Sequence, residues 1–572
     1  MPELRPAADG VTLTVRQHGN QLCYVSNGSA EAPVIRVRLG SELSITLSNE
    51  ITDPEAIDAV AGSGKLTTAN QPVPDSPGFY RVLPGMRHHA SGATNLHLHG
   101  FAVPPVAPQD DVLTICTDPA VGPATCGRRI FSYHYRVPAN MSEGMYWYHP
   151  HVHGEVQAQM LMGLSGAIIV EGPEHDARRA AGIEERVLIV RQTQDLDAGR
   201  MQAAAMTAAA PQSPAMEQHS HPHQPAAAQA NAPATAIDTA HELLCARNSG
   251  IDAISLNGTP IPSGDAPDSA LAHLQLPVGG TQLWRILNAA TDAFLDLSIV
   301  DQRGRSMPIE VVARDGSPLA DDAGTRLSPV QTLQSQFVPP SGRIEMLIKA
   351  PPSGTKAYLI THAVDTGCAG DRVPERRLAV IEVPLAAASG AAQATARHSL
   401  SIRPSMFSGL IARHTDRKRV IALAEYPHPG SEDQIDFYLF ERKPGAVLKP
   451  FAMGDPPAIT VKAGTTEEWL VENWTNELHA FHIHQLHFRV LAVDGKAVDH
   501  PPLLDVVNVP YATATGYHSK DGPVRPGRVR IKLYFPEALA GDIPFHCHLA
   551  DHEDNGMMAV LRVLAPNRSA GY

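Results

Sequence analysis

The stretch FHCHLADHEDNGMM (545–558) places Cys547 between His546 and His548, then adds His552, Met557 and Met558. A thiolate with two imidazoles and a distant methionine is the ligand set of a blue copper ion. Cys547, His552, Met557 and the upstream His479 supply that set. The chain has 28 histidines in 572 residues, so His-x-His should arise by chance about 1.4 times. It occurs seven times, two of them in a low-complexity tract. The other five fall in NLHLHG (95–100), WYHPHVHG (147–154), HAFHIH (479–484) and FHCH (545–548). Imidazole suits copper, iron, nickel and zinc. Four dyads offer eight imidazoles, more than one metal uses, so the economical reading is a multinuclear site.

Such dyads need strands to present them. On a strand, residues i and i+2 face one side, so each dyad shows two imidazoles together. His546 and His548 then face one way and Cys547 the other, which makes the sulfur site and the histidine cluster neighbours through one short covalent path.

Three segments, VRLGSELSITLSN (37–49), LPVGGTQLWRILN (276–288) and VKAGTTEEWLVEN (461–473), each carry a Gly followed nine residues later by Asn. Apolar residues five and seven positions after the Gly give the period-two signal of a half-buried strand: Ile45 and Leu47, Trp284 and Ile286, Trp469 and Val471. Long helical periodicity is weak, while 49 Pro and 44 Gly punctuate short strands. The expected fold class is all-β, three consecutive Greek-key β-sandwiches. Expected domains are 1–175, 176–385 and 386–572. A second repeat closes each copy: Gly144 and Gly541 are followed at five and seven residues by His, whereas after Gly354 those positions are Leu359 and Thr361. The outer copies therefore carry ligands and the middle one does not, which puts the cluster between the first and third.

A net charge of -13 disfavours nucleic acid or an anionic membrane as a main partner. No apolar run is long enough to predict a membrane span. The start, MPELRPAADG, has neither the basic nor the apolar region of a signal peptide; a mature form that has lost its leader and a cytoplasmic chain both fit. Six cysteines are too few for a disulfide scaffold of this size. Cys116 and Cys126 could close a loop or stay two buried thiols, and Cys23, Cys245 and Cys368 cannot be paired from sequence. Residues 198–236, rich in Ala, Pro, Gln, Met and His, cannot bury a core and are expected to be a disordered insertion. Its Met201, Met206, Met216, His219, His221 and His223 either collect Cu(I), which thioether favours, or reflect biased composition. LAAASGAAQATA (385–396) reads as the linker into the last domain.

The four motifs, in this order and spacing, resemble those of the multicopper oxidases, with bacterial laccases and cuprous oxidases the nearest likeness. The resemblance covers essentially all three domains. It implies cupredoxin-like domains and four copper ions. By motif position, the type 1 copper would take His479, Cys547 and His552 with Met557 as weak axial ligand. The type 2 copper would take His97 and His482. One type 3 copper would take His99, His149 and His548, and its partner His151, His484 and His546. The resemblance also singles out Glu553 as a proton carrier and Asp110 as the acid serving the cluster, with Asp111 left open by a different loop length. Their bland reading is a pair of solvated loop charges.

The implied activity is oxidation of phenols, aromatic amines or a metal ion such as Cu(I), coupled to four-electron reduction of dioxygen to water. The expected partners are thus a small-molecule or metal-ion reductant and dioxygen, the chain is expected to be a monomer, and its setting periplasmic or extracellular. A copper nitrite reductase would need fewer histidines, and a copper carrier would not need a closed cluster beside a cysteine site. His153 and His487 are expected to support or pack around ligands, Met558 to lie in the core, and His88 and His89 to be exposed.

Overall fold

The computed structural model describes residues 2–566 apart from 7–9, 28–31, 62–80, 83–91, 118–127, 194–252, 263–265, 326–330, 368, 386–402, 428–434 and 515–523. The Met/His tract, almost all of the expected linker, His88, His89, Cys126, Cys245 and Cys368 lie outside the described residues. Cys116 is disulfide-bonded; Cys23 and Cys547 are free.

Short strands paired into sheets build three β-sandwiches, each around its own apolar core. Leu13, Leu47, Tyr133 and Ile168 belong to the first. Leu188, Ile286, Ile344 and Leu359 belong to the second, and Val471, Phe481, Val529 and Cys547 to the third. The fold is all-β and cupredoxin-like, as expected.

The repeated Gly–Asn segments form equivalent strands, Glu42–Glu50, Thr281–Asn288 and Thr466–Asn473. Each runs parallel to one neighbour and antiparallel to the other: Val11–His18 and Ile130–Arg136 in the first copy, Glu184–Gln192 and Arg343–Lys349 in the second, Arg417–Pro427 and Gly527–Tyr534 in the third. The turn before each strand puts Gly40, Gly279 and Gly464 at φ of 76°, 66° and 84°, where a side chain is strained. The closing asparagines are fully buried and each ties loops together. Asn49 donates to the carbonyls of Gly92 and Thr117, Asn288 to Ala293 and Val338, and Asn473 to Glu477 and Val509. In each, Oδ1 accepts the backbone N–H two residues on. The repeat therefore records one topological problem solved three times.

In the middle sandwich, the positions matching ligands lie on the strand Lys356–His362. Leu359 fills the core, and Thr361 Oγ1 accepts the Asp296 N–H at 3.0 Å. An apolar cluster of Val34, Met145, Trp147, Ile189, Leu287 and Ala550 joins all three sandwiches. Among the described residues no helix is long and apolar enough to cross a membrane.

Candidate metal centre

In the first sandwich, the strand His97–His99 lies antiparallel to Gly144–His149, with His97 opposite His149 and His99 opposite Trp147. In the third, His479–Ile483 lies antiparallel to Gly541–Cys547, with His482 opposite His546 and Phe481 opposite Cys547. Ligand-bearing strands thus sit side by side within each sheet, and the two sets meet across the interface. His97 stacks on His484 and His99 on His482, both with centroids 3.9 Å apart. His151 Nε2 and His484 Nε2 lie 3.3 and 3.1 Å from His546 Nε2. The His548 ring is 5.0 Å from His99 and 5.3 Å from His149. All eight dyad histidines are buried.

Three groups have ligand atoms within 4.8 Å of one another: His97, His99 and His149; His97, His482 and His484; His151, His484 and His546. Across the strand from His546, a fourth group joins His479, Cys547 and His552. There Cys547 Sγ lies 3.2 Å from His479 Nδ1 and 3.8 Å from His552 Nδ1. Met557 is fully buried in the same core as Cys547, and its carbonyl accepts the Cys547 N–H at 3.0 Å. Met558 packs with Phe451 and Val560 instead.

The nitrogens turned away from the clusters are held, as ligands to a metal require. His97 Nδ1 is 2.8 Å from Asp110 Oδ2, His149 Nδ1 is 2.9 Å from the Pro150 carbonyl, and His482 Nδ1 is 2.7 Å from the Asp505 carbonyl. Their other nitrogens, His97 Nε2, His149 Nε2 and His482 Nε2, are buried without a hydrogen-bond partner, as are both nitrogens of His548. Buried polar atoms are rarely left so. An ordinary histidine core would need hydrogen bonds at these atoms; copper ions would satisfy them. Burial, and then the neighbouring imidazoles, holds His99, His149, His482, His484 and His548 well below the usual histidine range. They are neutral, the state that donates a lone pair to a metal. Burial works against a Cys547 thiolate, but His479 and His552 outweigh it and bring the thiol down to about 7. The donor set fits copper.

Two carboxylates expected near the cluster are there. Asp110 is buried and also accepts from Leu98 N and Gln485 Nε2, at 2.9 and 2.7 Å. Asp111 instead accepts from Leu113 N and Thr114 N in its own turn. Glu553 lies 3.1 Å from His546 Nδ1 and 3.2 Å from His151 Nε2, without the angle of a hydrogen bond. His153 packs edge-on against Phe451, and His487 Nε2 is 3.3 Å from the Asp315 carbonyl.

Sequence reasoning passed over the carboxylates behind the thiolate site. Glu425 Oε1 is 3.3 Å from His479 Nε2 and Glu477 Oε1 is 3.2 Å from His552 Nε2, with Thr475 Oγ1 at 2.7 Å from His479 Nε2. Asp505 and Gln485 were also missed. Glu477, two residues before a ligand, had a positional cue; Glu425 had none.

Two family profiles, both described as multicopper oxidase, match residues 86–175 and 433–567. A multicopper oxidase of Staphylococcus aureus is 35% identical over 118 residues, 19% of this chain and 23% of that one. A laccase of Haloferax volcanii is 27% identical over 280 residues, 48% of this chain and 42% of that one. The matches thus span less than half of these curated relatives. Among solved structures, a Campylobacter jejuni multicopper oxidase described as a metallo-oxidase superposes with a TM-score of 0.61 at 19% identity, covering 98% of this chain and 94% of that one. A multicopper oxidase of Aquifex aeolicus gives 0.61 at 18% identity, covering 99% and 98%; both share the three-sandwich fold. Both matched profiles fall on the sandwiches that carry the ligand groups, and the chain belongs to the multicopper oxidase family.

Proposed function

We propose that the protein is a copper-dependent oxidase that takes single electrons from a phenol, an aromatic amine or a metal ion such as Cu(I), and reduces dioxygen to water. The observation that carries this reading is the two-sided strand at 546–548. Cys547 turns its sulfur to His479 and His552, while His546 meets His151 and His484 from the first and third sandwiches. One peptide bond therefore joins the two ligand groups.

His479, Cys547 and His552, with Met557, would hold the type 1 copper. His97 and His482 would hold the type 2 ion, and His99, His149, His548, His151, His484 and His546 the type 3 pair. Bound copper supplies one-electron acceptance at the sulfur site and multi-electron delivery to dioxygen at the cluster. The chain's own work is to fix ligand direction and to move protons. Thr475 Oγ1 holds the outer nitrogen of His479, with the Glu425 and Glu477 carboxylates beside His479 and His552. Glu553 lies between His151 and His546 at the cluster's edge, which places its carboxylate to carry protons that water formation consumes. Asp110 Oδ2 accepts from two donors and keeps His97 in the tautomer that leaves Nε2 for copper.

The ligand groups are completed within one chain, so the cluster needs no second copy, in keeping with a monomer. The three separate apolar cores support domains divided near residues 175 and 385. The family resemblance supports a periplasmic or extracellular setting. Copper content, the visible spectrum and oxygen uptake test the reading together. About four coppers per chain, a blue band that bleaches under reductant and returns in air, and oxygen uptake with a phenol or Cu(I) are expected. A colourless copper-loaded chain that consumes no oxygen would refute it.

A further inference from the structure

Among the described residues the middle sandwich holds no ligand pair, yet it sends a fully buried cation to the cluster's wall. Arg343 opens the strand Arg343–Lys349 and its side chain is completely buried. Its guanidinium grips Asp505 of the third sandwich with both ends of the fork, Nη1 reaching Oδ1 at 2.7 Å and Nη2 reaching Oδ2. Further hydrogen bonds from Nη1 to the Ser341 carbonyl and from Nε to the Met145 carbonyl fix its plane.

Asp505 in turn touches two cluster histidines, one from each outer sandwich. Its Oδ1 is 3.2 Å from His99 Nε2, and its carbonyl is 2.7 Å from His482 Nδ1. A carboxylate already taking two N–H groups from arginine stays an acceptor. The hydrogen on His99 must then sit on Nε2, leaving the unpartnered Nδ1 as the lone pair. His482 is fixed the other way round, with its hydrogen on Nδ1 and the unpartnered Nε2 as the lone pair. These two rings stack 3.9 Å apart, so their tautomers and planes are set together.

Gly100 makes room for the pair. A Cβ there would sit 2.4 Å from Asp505 Oδ2 and 2.7 Å from Arg343 Nη2. Buried ion pairs contribute little net stability compared with apolar packing, so gluing sandwiches together explains the charges poorly. Aiming an acceptor at ligands explains them.

We propose that Arg343 is a positioning residue for the copper cluster, acting through Asp505 on His99 and His482. This rests on the copper-oxidase reading above.

The test compares wild type with Arg343→Met and Arg343→Lys, as full chains loaded with copper and then equilibrated with a competing chelator. Copper per chain, the blue band and the electron paramagnetic resonance spectrum are read together. Arg343→Met should bind cluster copper about 10–100-fold more weakly, the usual cost of losing a ligand's support. Its blue band should persist and the resonance of its remaining cupric ions should change. Arg343→Lys keeps the charge but not the fork, and should fall between the two.

Wild-type copper retention and an unchanged resonance spectrum in both variants would overturn the proposal. So would loss of the blue band in step with the cluster, which would mark general loosening. If Arg343→Met does not fold, Arg343→Lys and Asp505→Asn are read by the same criteria. A wild-type chain that takes up no copper would instead remove the underlying reading.

Discussion

Cys547 and His546 are neighbours in the chain but members of different ligand groups. The sulfur lies 3.2 Å from His479 Nδ1, and His546 Nε2 lies 3.1 Å from His484 Nε2. Replacing Cys547 by Ser should remove the thiolate and with it the blue band, lower copper content by about one ion, and reduce oxygen uptake with any donor to background. Metal analysis and an oxygen electrode check this. The eight dyad histidines are untouched by the change, so cluster copper should remain.

Asp110 and Asp111 are adjacent, and their surroundings separate them. Asp110 takes hydrogen bonds from His97, Leu98 and Gln485; Asp111 serves its own turn. Oxygen turnover by Asp110→Asn should fall by about 10–100-fold, the usual cost of losing a ligand's support, with the blue band retained. Glu553→Gln should fall by about 10²–10⁴, the range for losing a group that handles protons. Asp111→Asn should turn over near the wild-type rate. Steady-state oxygen uptake at saturating reductant distinguishes them.

Acid should weaken the joint between the first and middle sandwiches. Glu185 Oε1 accepts from Arg36 at 2.6 Å and Oε2 from Arg285 at 2.7 Å. Burial opposes the charge, but Arg285, His175 and Arg36 outweigh it and hold Glu185 below the usual carboxylate range. The unfolded chain, titrating near 4.3, therefore binds the proton first. The stabilisation is complete above that value and is lost as pH falls through the lower folded value. Glu185→Gln should cost about 1–3 kcal/mol near neutrality, because Arg36 keeps Glu3 and Glu171 and Arg285 keeps Glu345. Its stability should also depend less on pH below about 5. Denaturant unfolding across a pH series measures both.

The buried asparagine at the end of each repeated strand gives a fourth test. Asn288→Ala would leave the Ala293 and Val338 carbonyls without their donor and the Ala290 N–H without its acceptor. A loss of about 1–3 kcal/mol is expected, seen as a lower denaturant midpoint. The Asn288 side chain hydrogen-bonds to carbonyls and an N–H of its own sandwich, not to a ligand histidine, so the blue band of the folded protein should persist.

The ligand histidines were legible because a strand lets two imidazoles share a face only at i and i+2, which leaves a mark in sequence. The three sandwiches were legible for a similar reason: one left-handed turn and one buried amide recur at matched positions. Arg343, Asp505, Glu425 and Gln485 left no such mark. Each acts on a partner brought near by tertiary packing alone; Asp505 and Arg343 are 162 residues apart, and no local period links them. Asp110 could be separated from Asp111 only by seeing which carboxylate the loop turns inward. Gln485 reaches Asp110 from a left-handed backbone, φ 55°, a conformation that its residue type does not announce.

The stacking of His97 on His484, one ring from each terminal lobe, bears on when metal can enter. A ribosome-bound chain that has made only its first lobe offers one group of three imidazoles, His97, His99 and His149. The groups drawn from His482, His484 and His546 form only once distant segments have been synthesised and have closed against each other. The full set of ligands thus belongs to the finished molecule.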